Sequence, residues 1–288
     1  MNSVLFGGIS ALGLGTADFM GRFSSRAFDH HNALLGMLIA GFVPLSIWIL
    51  LAFGLPTLDA SSLGWVILNG AATTVMTLLL YWGLARGPIS VVAPIVAAHP
   101  VLVILYYVVR HGLQPVAMQW VALSGIIFGI VLVARASSRN MRQSPTKGAE
   151  NAIFPTILIA LGSCFAYSIL VVAGQAAAQV HGEYHTLWLG RIVSIVFLLF
   201  LFAIRQRRPA IPRRWWPFLC AQGLLDAGGY IALFAGSMGE GKAIVAVVAA
   251  TFGAVTVILA RVILKEAIGV VQWLGILLVF IGVMVLSR

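Results

Sequence analysis

The amino-acid sequence predicts an all-α integral membrane protein in which ten transmembrane helices form two inverted five-helix repeats. Three observations support this fold class: an apolar composition, ten long apolar runs, and residues that recur at a constant separation. Hydrophobic residues make up 61% of the 288 positions and charged residues 9%, with a mean hydropathy of +1.03. A soluble domain carries charge on about a quarter of its residues. The chain therefore lacks the polar surface that a water-soluble fold of this length requires.

The ten apolar runs predict ten spans, because a helix needs about 20 apolar residues to cross a bilayer. The sixth run contains LGSCFAYS and the eighth contains GLLDAGGY. Polar and glycine-rich stretches of this kind suit helices that line an internal cavity better than helices that face lipid. The predicted spans cover residues 3–23, 31–54, 62–85, 89–109, 115–135, 153–178, 184–205, 215–236, 242–263 and 267–286.

Basic residues predict the side of the membrane that each loop occupies, since cytoplasmic loops carry an excess of lysine and arginine. One side of the predicted topology holds only Arg110, Lys242 and Arg288. This bias predicts that both termini lie on the non-cytoplasmic side. The cytoplasmic side would then carry fourteen basic residues: Arg22, Arg26, Arg86, Arg135, Arg139, Arg142, Lys147, Arg205, Arg207, Arg208, Arg213, Arg214, Arg261 and Lys265.

Sequence features recur 153 positions apart, without a gap. This shift aligns the Gln-Trp pair at Gln119 with the pair at Gln272, and Gly70 with Gly223. Because five helices per half is an odd number, the second copy must enter the membrane from the opposite face, which gives an inverted repeat around a midplane site. The longest polar stretch, SSRNMRQSPTKGAEN, separates the copies. We therefore expect a first repeat at 1–136, a cytoplasmic linker at 137–152 and a second repeat at 153–288.

Two further stretches carry a resemblance to a known family. The first helix is glycine-rich, GISALGLGTADF, and a short link, ARGPIS, precedes the fourth. With ten helices in two halves, these features resemble the drug/metabolite transporter superfamily and its EamA-type exporters, and are most similar to the aromatic amino acid exporters of the YddG type. The resemblance covers nearly the whole chain. One departure is that an arginine common in the second helix of each half is present as Arg191 in the seventh helix but absent from NALLGMLIAGF in the second.

This resemblance implies a function as well as a fold. It implies a carrier in the bacterial inner membrane that exports small metabolites from the cytoplasm through a central midplane cavity by alternating access, with aromatic amino acids as the expected substrates. The alternative is a drug or general metabolite permease of the same fold, with another amino acid or a purine-like solute as its substrate. We expect a monomer in the lipid bilayer that binds a small-molecule substrate, with no cofactor and no metal.

The fourth span contains an unusual stretch, APIVAAHPVLVIL, with a histidine between two prolines. Pro94 and Pro100 each remove a backbone hydrogen bond, which frees carbonyl groups and bends the helix. His99 would lie roughly 15 Å from the cytoplasmic end of that helix, near the bilayer centre. A polar group that faces lipid at this depth is costly. We therefore expect a helix hinge at the prolines with His99 on a solute cavity, and the alternative is a kinked helix whose histidine bonds to a neighbouring helix.

Four more residues are candidates for substrate binding. Tyr81 and Tyr167 could present aromatic faces and hydroxyl groups to a solute, although Tyr81 lies near the aromatic belt expected at a membrane interface. Arg191 could meet a substrate carboxylate, and Asp226 could meet an ammonium group or carry a proton. Arg191 and Asp226 could equally form a buried ion pair that only fixes helix packing.

Two other patterns predict packing contacts. Asp18 and Arg22 lie four residues apart in the first helix, which predicts a local salt bridge. Gly125 and Gly129 form a small-xxx-small pair, which predicts a packing face within the chain.

Other classes of function find little support in the sequence. GSMGEGKA resembles a phosphate-binding loop, but it has alanine where serine or threonine would hold magnesium. We do not expect an enzyme, because the eight acidic residues are scattered along the chain. The basic residues lie between apolar runs, so a nucleic-acid interface is not expected either. A fixed channel or a lipid scramblase is disfavoured by the inverted repeat and the proline-broken helix.

Overall fold

The computed structural model describes residues 2–57, 59–142, 149–236 and 242–286. Within those ranges every regular element is helical, and the all-α prediction is confirmed. Apolar sequences that cannot bond to water satisfy their backbone groups within helices. The α-helices are α1 (Asn2–Phe28), α2 (His30–Phe53), α3 (Leu63–Arg86), α4 (Ile89–Ala97), α5 (His99–His111), α6 (Ala117–Arg142), α7 (Ala149–Ile204), α8 (Trp216–Gly236), α9 (Lys242–Ala249), α10 (Phe252–Ile263) and α11 (Val270–Leu286), and a short 3-10 helix (Arg213–Trp215) precedes α8.

Seven helical segments of the described chain are long and apolar enough to cross a membrane. One of them, Ile153–Ile204 within α7, covers the sixth predicted span and all but the last residue of the seventh. Gly182 divides α7 with a φ of 74° and a ψ of 162°, a conformation that residues with a Cβ rarely adopt. We refer to residues 149–181 as the first arm of α7 and to residues 183–204 as its second arm.

Large apolar side chains cover much of the outer surface. Leu51 is 83% exposed and Val109 is 86% exposed. An exterior of this kind would promote aggregation in water, whereas lipid tails solvate it without cost. The surface therefore agrees with the apolar length of the helices in placing the chain in a bilayer.

Two of the predicted spans are interrupted. In the fourth span, α4 and α5 are separated by Ala98 alone. Pro94 lies within α4, and Pro100 lies in the first turn of α5, where a helix does not need the backbone N–H group that proline lacks. The interruption thus falls between the two prolines, directly before His99.

The other interruption corrects the prediction of a continuous ninth span over residues 242–263, because α9 and α10 are separate helices. The hydroxyl of Thr251 donates to the carbonyl oxygen of Val248 at 2.6 Å, and such side-chain bonds compete with helical backbone bonds. Because no proline marks this position, sequence reasoning did not predict the break. Ala98 and Thr251, one in each interruption, are 153 positions apart.

The described loops that carry basic residues meet at one end of the molecule. The guanidinium of Arg22 donates to the carbonyl oxygen of Gly87 at 2.6 Å and lies 3.7 Å from the carboxylate of Glu266. Glu266 also accepts from two backbone N–H groups at the start of α4, at 2.9 and 3.1 Å, and so caps that helix. The predicted salt bridge between Asp18 and Arg22 is therefore wrong, because Arg22 turns towards partners on segments that are distant in sequence.

Residues that are 153 positions apart make equivalent contacts. The side-chain amide of Asn69 in α3 donates to the carbonyl oxygen of Leu170 in α7 at 2.9 Å. The amide of Gln222 in α8 donates in the same way to the carbonyl oxygen of Ala17 in α1 at 3.1 Å. Because a buried amide is costly unless it is bonded, each pair fixes the register of two helices. The opposite insertion of the two halves stays a prediction.

Helices α6 and α11 approach each other closely at glycine residues. A Cβ on Gly129 would lie 2.6 Å from the carbonyl oxygen of Gly275, and a Cβ on Gly275 would lie 2.7 Å from that of Gly129. A Cβ on Gly125 would meet nothing within 4 Å. The packing face predicted from the glycine pair thus contains Gly129 but not Gly125.

We predict that Gly129→Ala destabilises the protein, whereas its matched control Gly125→Ala does not. The added methyl group must push the backbones of α6 and α11 apart, at a cost of about 1–3 kcal/mol. Thermal unfolding in detergent should show a lower Tm for Gly129→Ala alone. Equal Tm values for the two variants would contradict the close crossing of these helices.

Candidate functional site

Polar and aromatic side chains gather between the helices around the two interruptions. His99 is the first residue of α5, and Phe252 is the first residue of α10. The ring of Tyr167, in the first arm of α7, stacks on His99 with centroids 3.8 Å apart and an interplanar angle of 12°. The same tyrosine ring lies 6.4 Å from the ring of Phe252. Both interrupted spans therefore present a ring to one tyrosine.

His99 uses one ring nitrogen within its own span. Its Nδ1 lies 3.3 Å from the carbonyl oxygen of Val96, which can only accept, so Nδ1 carries the proton. In the neutral ring Nε2 is then an acceptor, and it has no hydrogen-bond partner among the described residues. The half-buried imidazole therefore offers a free acceptor nitrogen beside its stacked face.

Arg191 and Asp226 form a hydrogen-bonded ion pair between the second arm of α7 and α8. Arg191 is 4% exposed, and its Nη1 has no hydrogen-bond partner in the described part of the chain. The guanidinium also lies over the ring of Tyr230, 5.9 Å from the centroid, which is within the range of a cation–π contact. The ion pair that the sequence allowed is thus present, and one nitrogen of the guanidinium has no hydrogen-bond partner among the described residues.

Tyr81 belongs to a buried hydrogen-bond network. Its side chain is 1% exposed, and its hydroxyl accepts from the amide of Gln222 at 2.6 Å. The amide oxygen of Gln222 accepts in turn from the hydroxyl of Ser24 at 3.2 Å. A Cβ on Gly21 would clash with the tyrosine ring, so glycine is needed where α1 passes it. Tyr81 therefore joins α1, α3 and α8, and stacking on a solute would first require its ring to be uncovered.

Sequence reasoning missed Asp18, which it had assigned to a local salt bridge. The half-buried carboxyl group lies within electrostatic range of Asp226, Tyr167 and Tyr230. Among the residues that the structure describes, Asp18 has no hydrogen-bond or ion-pair partner for its side chain. An ionisable residue inside a membrane helix is a functional candidate by default, and that rule alone would have identified it.

We call this set of side chains the central cluster. Its members come from α1, α5, both arms of α7, α8 and α10, so that most of the fold is needed to assemble it. The cluster combines a carboxyl group without a partner and a partly satisfied guanidinium with several aromatic faces, which suits the binding of a solute that carries polar groups beside a ring. The central cluster comprises Asp18, His99, Tyr167, Arg191, Asp226, Tyr230 and Phe252.

An all-helical chain with an apolar exterior and a polar cluster between interrupted helices has the architecture of a membrane transporter of small molecules. The chain belongs to the EamA-like transporter family, whose model matches residues 1–135 and 154–288. Members of this family are transporters and not enzymes. A solved crystal structure matches this chain with a TM-score of 0.62 and 15% sequence identity. The match covers 98% of this chain and 95% of the chain in that structure, which shows a shared fold. No curated protein matches the chain.

We predict that Arg191 and Asp226 are strongly coupled in stability. Asp226→Leu leaves a buried guanidinium without its counter-charge and should destabilise the protein by about 3–5 kcal/mol. The double variant Asp226→Leu/Arg191→Met removes both charges. Its loss of unfolding free energy should be smaller than the sum of the losses in the two single variants. Thermal unfolding of the native protein, both single variants and the double variant measures the coupling. Strictly additive losses would contradict a direct pair.

Proposed function

We propose that the protein exports aromatic amino acids from the cytoplasm and that the central cluster binds them. One observation carries the proposal: the carboxyl group of Asp18 and the Nη1 of Arg191, which have no hydrogen-bond partners among the described residues, belong to the same cluster as several aromatic rings. An amino acid brings an ammonium group for the first and a carboxylate for the second. Such charge-assisted hydrogen bonds offset the desolvation that a membrane-embedded site imposes.

The rings of the cluster favour an aromatic side chain on that amino acid. His99 and Tyr167 are stacked, and Phe252 and Tyr230 flank them. A flat ring placed against such a wall gains about 0.5–1.5 kcal/mol per aromatic contact beyond the burial of its area. The resemblance of the sequence to aromatic amino acid exporters of the YddG type supports the same substrate class.

The proposed location is the bacterial inner membrane, with both termini on the non-cytoplasmic side. Contacts gather the basic loops at one end: Arg205 bonds to His31 at 2.8 Å, and the ring of Phe28 packs on Trp215 at 5.4 Å. An excess of positive charge marks the cytoplasmic side of a membrane protein. In this orientation the linker at 137–152 lies in the cytoplasm between the repeats at 1–136 and 153–288.

The two helix interruptions support transport by alternating access. Carriers built from inverted repeats place their sites at discontinuous helices near the midplane, where each side can reach the solute in turn. Pro94 and Pro100 keep α4 and α5 from forming one straight helix. We therefore assign the hinges of this motion to Ala98 and Thr251. The residues that follow them, His99 and Phe252, both place their rings against Tyr167.

The alternative function is a drug or general metabolite permease, for another amino acid or a purine-like solute. The Arg191–Asp226 pair favours it, because a guanidinium that keeps its carboxylate has less need of an anion. A solute would then bind to the aromatic rings, with Asp18 selecting for positive charge. The two functions differ in whether a carboxylate on the solute strengthens binding.

We predict saturable counterflow of labelled phenylalanine in proteoliposomes that contain the native protein, and a weaker signal from folded His99→Ala. Unlabelled phenylethylamine and phenylpropionate, which keep only the ammonium or only the carboxylate, should each inhibit roughly tenfold less well than phenylalanine, because each lacks one charge-assisted bond. If no aromatic amino acid gives counterflow, this substrate class is discarded. Phenylethylamine that inhibits as well as phenylalanine would favour the alternative function.

We predict that Asp18→Asn weakens the apparent affinity for phenylalanine roughly tenfold or more, because it removes the charge that meets the ammonium group. Inhibition by phenylethylamine should disappear, while inhibition by phenylpropionate should persist. Asp59→Asn is the matched control, since Asp59 is an exposed loop residue that accepts from the backbone N–H of Ser61. Unchanged kinetics in Asp18→Asn would remove Asp18 from the site.

A further inference from the structure

A polar pocket outside the central cluster opens at the end of the molecule where the basic loops meet. It lies between the start of α2 and the segment that follows α7, and its volume is about 130 Å³. None of its residues belongs to the central cluster. We call it the basic pocket, and its polar lining consists of Asp29, His31, Asn32, Arg205, Arg207 and Arg208.

A chain of contacts holds Arg205 in place at this pocket. Its Nη1 donates to Nε2 of His31 at 2.8 Å. Because a guanidinium can only donate, Nε2 must be the acceptor, and Nδ1 carries the proton that it donates to Oδ2 of Asp29 at 3.2 Å. The imidazole is therefore neutral and fixed in one orientation. Arg205 keeps its other N–H groups for a further acceptor.

The backbone places two more arginines on the pocket wall. The N–H group of Arg207 donates to the carbonyl oxygen of Phe202 at 3.0 Å, so the chain folds back at the end of α7. The side chain of Asn32 accepts from the N–H group of Ala210 at 2.9 Å, which ties the same segment to α2. Arg207 and Arg208 are exposed, and neither guanidinium forms a hydrogen bond or ion pair with a described residue.

The charge of the basic pocket selects an anion. Three arginines and one aspartate, beside a neutral histidine, sum to a formal charge of +2. One possible metal-ligand atom from each of Asp29, His30 and His31 lies within 4.8 Å of the other two, a spacing that would also suit a metal ion. Both nitrogens of His31 are already engaged, however, and the neighbouring guanidinium groups repel a cation.

We propose that the basic pocket binds the phosphate of an anionic phospholipid headgroup. Arginine matches phosphate with parallel N–H donors, and basic pockets between membrane helices on the cytoplasmic side are suited to anionic headgroups. A phosphodiester needs several donors at one place, and Arg205, Arg207 and Arg208 supply them without giving up any intramolecular ion pair. The apolar part of the pocket lining consists of Leu201 and Phe202. These side chains would contact the glycerol portion of a lipid whose phosphate is bound by the arginines.

The outer face of α7 continues this site along the membrane. Val196, Phe200 and Ile204 are 60%, 57% and 63% exposed, and they lie on the last turns of the helix below the pocket. Acyl chains attached to a headgroup in the basic pocket would run along this apolar face, which adds hydrophobic binding to the phosphate contacts. This combination distinguishes a lipid from free phosphate, which has the same charge but no chains.

The experiment counts bound lipids by native mass spectrometry of the purified, delipidated protein in neutral detergent. Phosphatidylglycerol, phosphatidylcholine and inorganic phosphate are titrated in parallel. The double variant R207Q/R208Q removes the charge of the pocket, and R213Q/R214Q removes the same charge from the same loop at exposed positions outside the pocket. Because all four side chains are exposed, both variants should fold, which circular dichroism checks.

We predict one phosphatidylglycerol that binds the native protein and R213Q/R214Q at least tenfold more tightly than it binds R207Q/R208Q. Phosphatidylcholine should bind more weakly than phosphatidylglycerol to the native protein. Equal losses in the two double variants would assign the effect to the general charge of the loop and overturn the proposal. Phosphate that competes as strongly as the lipid would assign the pocket to a soluble anion and also overturn it.

Discussion

The structure depends on one constraint: inside a bilayer every backbone polar group must find a partner within the protein. Helices meet this requirement through most of the described chain, and the interruptions at Ala98 and Thr251 meet it locally. The N–H group of Ala98 donates to the carbonyl oxygen of Ile95 at 3.3 Å, and the hydroxyl of Thr251 donates to that of Val248. Irregular backbone at membrane depth is tolerated where it lines a polar interior, and the central cluster lies at these two points.

Polar groups in the interior are of two kinds. Asn69 and Gln222 have partners on other helices, and a satisfied network of this kind makes a core rigid and unique. The carboxyl group of Asp18 and the Nη1 of Arg191 lack hydrogen-bond partners among the described residues, which costs stability in a medium of low dielectric constant. Such a cost is retained when a bound solute supplies the missing partner. The proposed site therefore rests on these two groups and not on Tyr81, whose hydroxyl is already bonded.

Composition and run length were enough to predict an all-helical membrane fold from the sequence, because the bilayer dictates both. Proline chemistry was enough to locate the interruption beside His99. The interruption at Thr251 was not predictable in this way, since a threonine hydroxyl stops a helix only in some surroundings. Spacing along the first helix paired Asp18 with Arg22, but the partners that Arg22 prefers lie on segments distant in sequence. Spacing predicts contacts within one helix and cannot weigh them against partners from another.

The two halves of the chain are alike in their scaffold and different at the site. The interruptions and the buried amides recur after 153 positions, whereas the charged members of the cluster do not. Asp18, Arg191 and Asp226 correspond to Val171, Leu38 and Thr73. Similar halves give the proposed carrier two arrangements of similar free energy, with the site open to one side or to the other. A single set of charged residues offers the solute the same partners in both arrangements. In this proposal the charged residues determine selectivity, whereas the repeated interruptions allow the exchange between the two arrangements.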